Sequence, residues 1–423
     1  MGEVARTVSA RTGQTAEPGQ SAQSARTGLS ARSVRHTRYG LLFVGVLLIA
    51  ANLRAAITSV GPVLSDLRAD LGLSGTVASI LTSTPVFAFA ALSPVAPAVA
   101  ARMGIERALG LSLAVLSVGV VIRSVPGTAL LWTGTVLLGA AIALINVLLP
   151  SLVKRDYPDA VGKTTGLYSS VQSGTAAVAS GLAVPIAGVA QQGWRLSLGI
   201  WAGLAVIAFA VFLPQLRSRT LPAVTPAARG RTPWRSLLGW EVTLFMGFQS
   251  TVYYTMVTWW PSIERDHGVS ATAAGWHLFV LQMMSIVGNL GTATMLHRRT
   301  APGERAIAVT ITGLLFLSVG GELLAPGVSL LWAAASGVGV GCCIVYALSL
   351  FGLRTRNSTQ AAALSGMAQS VGYLLAGLGP VLFSLLHDAT GGWKWPLAIL
   401  LALVVGQMLL AVLVSKDRYV ADA

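Results

Sequence analysis

A series of long apolar runs, separated by short polar segments, constrains this sequence more than any other feature. Each run is near or above the ~20 residues that an α-helix needs to cross a bilayer. A chain of 423 residues in which only 10% are charged cannot cover itself with a wetted surface. The pattern therefore predicts an all-α membrane protein with twelve transmembrane helices. The predicted spans are residues 39–63, 74–99, 106–123, 127–151, 163–189, 194–213, 239–260, 271–296, 303–323, 327–351, 360–386 and 393–415.

The segments outside these runs divide the chain into domains. Residues 1–37 carry almost no large apolar side chain, which predicts a disordered, basic N-terminal tail. The longest internal separator is rich in Pro and Arg, which predicts a cytoplasmic linker between two halves. The predicted domains are the tail at 1–37, a six-helix bundle at 38–213, the linker at 214–238, a second six-helix bundle at 239–416 and a C-terminal tail at 417–423.

The two halves resemble each other, which predicts a parallel internal repeat. Asp70-Leu-Gly-Leu-Ser follows the first predicted helix, and Asp266-His-Gly-Val-Ser follows the seventh. Gly193-Trp194 likewise corresponds to Gly392-Trp393 near the end of each half. Six plus six helices in the same orientation is the plan of transporters whose two halves rock about a central site.

Charge placement predicts the orientation in the membrane. Most of the 29 lysines and arginines fall in the tail, the linker and the loops on the same side as these. Because positive loops stay in the cytoplasm, both termini are expected there, in a multi-pass protein of the cytoplasmic (inner) membrane. The net charge of +14 is thus explained by topology, and no nucleic-acid partner is expected. The basic residues assigned to the outer loops are Arg68, Arg123, Arg195, Arg265 and Lys394.

One motif adds a family resemblance. Residues 51–62 read Ala-Asn-Leu-Arg-Ala-Ala-Ile-Thr-Ser-Val-Gly-Pro, followed by Leu-Gly-Leu-Ser at 71–74 and Arg-Met-Gly-Ile-Glu-Arg at 102–107. The chain resembles the major facilitator superfamily over residues 38–416. Within it, these motifs resemble the cyanate permease and 2-nitroimidazole transporter family. The resemblance implies the major facilitator fold, a small-molecule substrate and a monomer surrounded by lipid.

Arg54 is the sharpest candidate for a substrate-binding residue. It lies about fifteen residues into the first predicted helix, and an Arg at the centre of a membrane helix costs roughly 3 kcal/mol on insertion scales. It should therefore face the bundle interior or a water-filled cavity, where its guanidinium binds an anionic or polar substrate. The alternative is a structural role, with Arg54 bonded to helix carbonyls or to Asn52. The equivalent position in the second half is Ser250, so one positive charge, suited to a small monoanion or polar heterocycle, is expected.

Uncharged polar residues at similar depth complete the predicted site. In the superfamily that the chain resembles, helices one, four, seven and ten line the cavity, with two, five, eight and eleven beside them. Each amide taken alone is as well explained by a hydrogen bond between helices. The predicted substrate-binding set is Arg54, Asn52, Thr58, Asn146, Gln172, Gln249, Tyr253, His277, Gln282, Gln369 and Tyr373.

Other features receive structural interpretations. Trp259 and Trp260 are expected in an aromatic belt at the outer face. The run of glycines from Gly337 to Gly341 lies inside a helix and predicts close helix packing, not a nucleotide-binding loop. Glu241 and Glu322 are placed at helix ends and the remaining acids in loops or tails, so uniport, anion exchange and proton symport all remain open.

The sequence therefore predicts a transporter, not an enzyme, with no catalytic residues, no cofactor and no metal. The substrate expected from the resemblance is a small anion or a small polar nitrogenous compound, cyanate-like or nitroimidazole-like, anchored by Arg54. One alternative is an exporter of amphipathic drugs or other organic solutes, which would tolerate loss of Arg54. A remote alternative is a membrane-embedded enzyme or sensor, but no hydrolase or metalloprotease motif and no soluble output domain is present.

Overall fold

The computed structural model describes residues 40, 42–157, 161–191, 193–217, 233–297, 303–356 and 358–420. Residues 45–423 form one compact unit, and residues 1–44 form a separate one. The predicted tail at 1–37, positions 218–232 of the linker and positions 421–423 lie outside the described residues.

Helices are the only regular secondary structure in the described part. The α-helices are α1 Leu42–Thr58, α2 Val60–Leu71, α3 Gly75–Leu92, α4 Ala96–Met103, α5 Ile105–Ser124, α6 Thr128–Asp156, α7 Val161–Ala187, α8 Trp194–Gly199, α9 Trp201–Phe212, α10 Leu237–Asp266, α11 Ala271–His297, α12 Glu304–Leu324, α13 Ser329–Leu353, α14 Ser358–Thr390 and α15 Lys394–Val414.

Most of these helices are long and apolar enough to cross a bilayer. Within the described residues nine spans qualify, and a tenth is formed by α1 and α2, which meet at a bend of 41°. The two remaining long helices are α7, with 27 residues, and α10, with 30. Both carry many polar side chains, among them Gln172 and Gln249, and this lowers their hydropathy. With these two helices, the order and number of helices agree with the twelve that the sequence predicts.

The bend between α1 and α2 has a local cause. Pro62 has no N–H to donate to the carbonyl of Thr58, so the helical hydrogen-bond ladder is interrupted there. Arg123 of α5 supports the break by donating from Nη1 to the carbonyl oxygen of Ala56 at 2.7 Å. The prediction that placed Arg123 in an outer loop is therefore wrong. Arg123 lies in the last turn of α5 and is 3% exposed, and its two Nη atoms donate to the carbonyl oxygens of Ala56 and Leu198.

Repeated contacts support the internal repeat. In the first half, Trp194 donates from Nε1 to the carboxylate of Asp70 at 3.1 Å. In the second half, Trp393 donates from Nε1 to the carboxylate of Asp266 at 2.6 Å. These are the same Asp and Trp pairs that the sequence comparison aligned. Each pair ties the end of one long helix to the start of the last span in its half.

A second repeated contact lies at the opposite ends of the helices. Arg155 of α6 forms an ion pair with the buried Glu106 of α5 at 2.8 Å. Arg354, after α13, forms the corresponding ion pair with Glu304 of α12. Both pairs join neighbouring helices of one half. We call this end of the molecule the arginine end, and the end that carries Asp66, Asp70, Asp266 and Asp388 the aspartate end.

The two halves touch closely at the aspartate end. We refer to residues 45–217 as the first half and residues 233–420 as the second half. Arg265 of α10 contacts the hydroxyl of Ser65 and the carboxylate of Asp66 on α2. Thr76 of α3 donates a hydrogen bond to Asp388 of α14 at 3.3 Å. At the arginine end, the two ion pairs named above, Arg155 with Glu106 and Arg354 with Glu304, each join residues of one half.

The prediction of an outer aromatic belt at Trp259 and Trp260 is wrong. Both side chains are buried, at 2% and 1% exposure. Trp259 donates from its indole N–H to the carbonyl of Pro380 on α14, and Trp260 donates to the carboxylate of Glu264. This part of α10 is surrounded by other helices, so both indole N–H groups donate to protein acceptors and do not lie at the lipid–water boundary.

The glycine run in α13 packs against α11, as the sequence indicates. A Cβ added at Gly337 would lie 2.1 Å from the carbonyl oxygen of Leu281, and one at Gly341 would lie 2.1 Å from that of Ser285. From the other side, a Cβ at Gly288 would lie 2.2 Å from the carbonyl oxygen of Val338. Close backbone contact of this kind is how small residues hold membrane helices together.

This packing leads to a testable prediction. Gly341→Val should destabilise the fold by about 1–3 kcal/mol or more, because α11 and α13 must separate to admit the side chain. Gly313→Val is the matched control, since a Cβ at Gly313 meets nothing within 4 Å. We expect thermal unfolding in detergent to show a clear drop in melting temperature for Gly341→Val only. Equal melting temperatures for the two variants would contradict the packing interpretation.

Candidate functional site

Arg54 projects from α1 towards residues of the second half. Its guanidinium carbon lies 4.5 Å from the ring centre of Tyr253 and 5.7 Å from that of Tyr254, both on α10. A guanidinium at this distance from a ring face is attracted by the ring quadrupole. Among the described residues, Arg54 forms no ion pair and no hydrogen bond with Asn52 or with a helix carbonyl. Its positive charge is therefore held without a protein anion.

Aromatic side chains from both halves surround this charge. Tyr253 and Tyr254 pack edge to face with ring centres 5.1 Å apart, and Tyr254 approaches Tyr373 of α14 at 6.5 Å. Phe89 of α3 meets Tyr373 at 5.5 Å, also edge to face. We call Tyr253, Tyr254 and Tyr373 the tyrosine cluster. It gives the site flat apolar walls and phenolic hydroxyl groups next to the guanidinium of Arg54.

A hydrogen bond extends the site to α11. Gln282 is 2% exposed and donates from Nε2 to the hydroxyl oxygen of Tyr253 at 3.0 Å. One turn along the same helix, the hydroxyl of Ser285 donates to that of Ser173 on α7 at 3.4 Å, which links the two halves. Gln282 therefore orients Tyr253, and Tyr253 in turn covers the guanidinium of Arg54.

A small cavity lies beside the tyrosine cluster on the side of the aspartate end. Residues of α1, α2 and α3 form one wall, and α10 with Pro380 of α14 forms the other. The lining combines apolar side chains with the hydroxyl-bearing residues Thr82, Ser83, Tyr254 and Thr258. The Ser83 hydroxyl has no hydrogen-bond partner among the described residues. A polar group that enters this cavity would find a free hydroxyl there.

Several predicted site residues lie elsewhere or make other contacts. Asn52 donates to the carbonyl oxygens of Leu48 and Leu204 at 2.8 and 3.3 Å. Thr58 donates to the carbonyls of Arg54 and Ala176. These bonds satisfy both side chains within the helix bundle, which supports the interpretation that they stabilise helix packing.

Of the remaining predicted amide side chains, two form hydrogen bonds within their own helices and two are half-buried. Gln249 is buried and donates to the hydroxyl of Ser250 at 2.7 Å, although it is one turn from Tyr253. Gln369 donates to Ser365 in its own helix at 2.8 Å. Asn146 and Gln172 are half-buried. The structure thus brings Arg54, Tyr253, Gln282 and Tyr373 together.

Two residues of the site were missed by the sequence analysis. Tyr254 follows Tyr253 directly in α10. Successive residues of a helix point about 100° apart around its axis, so only one of the two tyrosines was expected to approach Arg54. Both rings nevertheless lie close to the guanidinium, with ring centres 4.5 and 5.7 Å from its carbon. Phe89 carried no polar atom that would mark it. The two consecutive tyrosines of α10 were the only sequence feature that could have indicated an aromatic site.

His277 lies in a different cluster from Arg54. Its Nδ1 is 2.8 Å from Oε1 of Glu264, a carboxylate that also accepts from Trp260 and Ser329. The prediction that the acids other than Glu241 and Glu322 lie in loops or tails is wrong for Glu264. It belongs to the last turns of α10 and is fully buried. Its burial is supported at Oε1, which accepts from Trp260 and Ser329 and lies against Nδ1 of His277.

Comparison with known proteins identifies relatives over most of the chain. It is 41% identical over 381 residues to the uncharacterized transporter YycB of Bacillus subtilis, covering 90% of this chain and 94% of that protein. It is 39% identical over 359 residues to the 2-nitroimidazole transporter of Escherichia coli, covering 84% and 91%. The cyanate transport protein CynX of Escherichia coli is 26% identical over 380 residues, covering 88% and 97%.

Solved structures share the fold. A bacterial homologue of the human lysosomal transporter Spinster, in an inward-facing and unoccupied conformation, aligns with a TM-score of 0.72 at 16% identity, over 90% of this chain and 98% of that one. The inward-open xylose transporter XylE of Escherichia coli aligns with a TM-score of 0.70 at 12% identity, over 90% and 96%. The family model described as Major Facilitator Superfamily matches residues 42–377. This chain is therefore a membrane transporter of the major facilitator superfamily.

Proposed function

We propose that this transporter moves a small planar anion or a small polar nitrogenous compound, with Arg54 as the substrate anchor. The observation that carries the proposal is the guanidinium of Arg54, which pairs with no carboxylate in the part of the chain that the structure describes and lies against Tyr253 of the other half. A substrate anion would supply the missing negative charge, and its planar group would stack on the tyrosine cluster. One cation without a second favours a monoanion over a dianion.

The relatives support this substrate class. One is named for 2-nitroimidazole, a planar nitrogen heterocycle, and another for cyanate, a small anion. Both kinds of molecule offer acceptor atoms to a guanidinium and π electrons to aromatic rings. The chain that shares their family and carries Arg54 beside three tyrosines is suited to a ligand of the same chemistry.

The proposed mechanism is alternating access about this site. The contacts of Arg265 with Ser65 and Asp66, and of Thr76 with Asp388, hold the halves together at the aspartate end. We propose that the aspartate end faces the outside of the cell, with both termini in the cytoplasm and the protein acting as a monomer in the inner membrane. Breaking these contacts while the halves approach at the arginine end would then expose Arg54 to the other side.

A ligand panel tests the substrate class. We would measure thermal unfolding of the purified protein with cyanate, nitrate, benzoate, 2-nitroimidazole and an amphipathic cation. A ligand that binds only the folded state stabilises it by about 2.7 kcal/mol at a hundredfold excess over its dissociation constant. We expect one or more of the anions or the heterocycle to raise the melting temperature. Stabilisation by the amphipathic cation alone would replace the proposal with the drug-exporter alternative.

A further inference from the structure

A buried group of ionisable side chains lies at the aspartate end of the second half, apart from the site around Arg54. It brings together Glu264 near the end of α10, His277 of α11, Glu322 near the end of α12 and Ser329 at the start of α13. Glu264 is fully buried and Glu322 is 1% exposed. Two carboxylates are thus removed from water in one region of the second half.

The two carboxylates differ in their hydrogen bonds. Oε1 of Glu264 accepts from the indole of Trp260 at 2.9 Å, from the hydroxyl of Ser329, and lies 2.8 Å from Nδ1 of His277. Glu322 lies near the same Ser329 hydroxyl and within electrostatic range of Glu264, yet both of its oxygens lack a hydrogen-bond partner among the described residues. Oε2 of Glu264 also lacks a partner among the described residues, so Glu264 is prepared for a negative charge at one oxygen, whereas Glu322 is prepared for it at neither.

A bare ionised carboxylate is costly in such a place. Burial of an isolated charge without a partner is strongly unfavourable, and a second carboxylate nearby adds repulsion. Within the described residues, no Lys or Arg forms an ion pair with Glu264 or Glu322. The least costly state is therefore one in which the pair holds a proton, with Glu322 in the acid form.

The surrounding charged groups are occupied elsewhere. Arg265, next to Glu264 in the chain, turns to Ser65 and Asp66 of the first half. Asp266 accepts from Trp393. The other titratable groups described at this end are Arg68 and Asp70 of α2, His387 and Asp388 of α14, the exposed His267 after α10 and the exposed Lys394 of α15. Asp70 pairs with Arg195, and His387 contacts Asp388.

We propose that Glu322, together with Glu264 and His277, forms a proton-binding site of this transporter. The side chain of His277 is 19% exposed, whereas that of Glu264 is not exposed at all, so the imidazole is the entry point. It accepts a proton from water at one ring nitrogen and gives one from Nδ1 to Glu264, from which the proton reaches Glu322. One proton enters and one carboxylate becomes a carboxylic acid, while the neutral imidazole of His277 is left with its hydrogen on the other ring nitrogen, and the return of that hydrogen to Nδ1 through water resets the relay.

The position of this site connects it to the movement of the halves. Arg265 is the residue after Glu264 in α10, and it makes the ion pair that joins the halves at the aspartate end. Gain or loss of a proton changes the net charge of the carboxylate pair, and Glu264 of that pair is the residue before Arg265. The site is therefore placed to link proton binding to the opening of the aspartate end. This inference rests on the membership of the transporter family and not on the identity of the substrate.

Infrared spectroscopy of the purified protein tests the site without any substrate. We expect wild type to show a carbonyl stretch from a protonated carboxylic acid at about pH 7, where exposed Glu side chains are ionised. Glu322→Gln should remove that band. The matched control is Glu241→Gln, because Glu241 is also buried but pairs with Arg418 at 2.6 Å and should be ionised. This control should leave the band intact.

Two outcomes would overturn the proposal. One is a wild-type spectrum without a buried acid band, and the other is a band that survives unchanged in Glu322→Gln. Folding is checked by the melting temperature, and the amide should be tolerated because it has the shape of the neutral acid. If Glu322→Gln does not fold, Glu322→Asp must keep the acid band at a shifted frequency, and an unshifted band again rejects the site.

Uptake of labelled cyanate into proteoliposomes then tests coupling. An imposed pH gradient should change the accumulation of cyanate by wild type and not by Glu322→Gln. A gradient response retained by the folded variant would contradict coupling through this site. Absence of cyanate uptake by wild type would instead count against the proposed substrate, whereas the infrared result would stand unaffected.

Discussion

Arg54→Gln is expected to weaken substrate binding strongly while the protein stays folded. The guanidinium of Arg54 lies 4.5 Å from the ring of Tyr253 and has no ion pair among the described residues, so its removal leaves no protein anion without a partner. Removing one member of a buried, hydrogen-bonded charge pair costs about 2–5 kcal/mol of binding energy. With a tenfold change for each ~1.4 kcal/mol, affinity should fall roughly 30-fold to several thousand-fold.

The stability of the ligand-free Arg54→Gln protein should not fall with its affinity. An arginine at the centre of a membrane helix costs roughly 3 kcal/mol on insertion scales, and Gln does not carry that charge. The melting temperature of ligand-free Arg54→Gln should therefore equal or exceed that of wild type. Arg54→Lys should bind with intermediate affinity, because it keeps the charge but loses the planar fork that stacks on tyrosine.

Arg123 provides the matched control for Arg54. Both are largely buried arginines of the first half, but Arg123 donates to the carbonyls of Ala56 and Leu198 at the bend of α1 and α2. Arg123→Gln should lower the melting temperature and leave the affinity of the folded fraction unchanged. If Arg54→Gln lowers stability and Arg123→Gln lowers affinity, the two roles assigned here are reversed.

Gly61→Val is expected to prevent closure at the aspartate end. A Cβ at Gly61 would lie 2.4 Å from the carbonyl oxygen of Val257 on α10, so α2 and α10 must separate to admit any side chain. Such overpacking costs about 1–3 kcal/mol. Because the clash occurs only when the aspartate end is closed, a penalty of about 1–3 kcal/mol shifts the equilibrium between closed and open states roughly 5- to 150-fold towards the open state. Transport should fall accordingly, since the cycle requires the closed state.

Distance measurements would show the shift directly. Spin labels at the exposed positions Leu196 and Thr272, one in each half near the aspartate end, should report a longer distance in Gly61→Val than in the parent. Gly203→Val is the control, because a Cβ at Gly203 meets nothing within 4 Å. An unchanged distance in Gly61→Val, or an equal change in the control, would argue against this closure contact.

The fold could be predicted from the sequence because membrane helices obey a simple rule. Each span must satisfy its own backbone hydrogen bonds and present apolar side chains to lipid, so length and hydropathy mark it. The aligned pairs of Asp70 with Trp194 and Asp266 with Trp393 also appear as direct hydrogen bonds. The rule fails where a side chain is buried by protein and not by lipid, as with Trp259, Trp260 and Arg123.

The site was only partly predictable. Arg54 stands out because a charge inside a membrane span is costly and needs a reason. The neutral residues carry no such signal, because Asn52 and Gln282 look alike in the sequence although one bonds helix carbonyls and the other bonds Tyr253. Which face of each helix meets which neighbour depends on three-dimensional packing. Glu264 was missed for a similar reason, since the side chains that contact its carboxylate come from α10, α11 and α13.

The most direct test of an anionic substrate held by Arg54 is a double-mutant-type cycle, in which the charge of the ligand and the charge of residue 54 are removed separately and together. We would measure equilibrium binding of benzoate and of benzamide, its neutral counterpart of similar shape, to wild type and to Arg54→Gln. Wild type should prefer benzoate by about tenfold or more, which is ~1.4 kcal/mol, and Arg54→Gln should bind the two ligands alike. An equal preference for benzoate in both proteins would show that the substrate charge is recognised elsewhere.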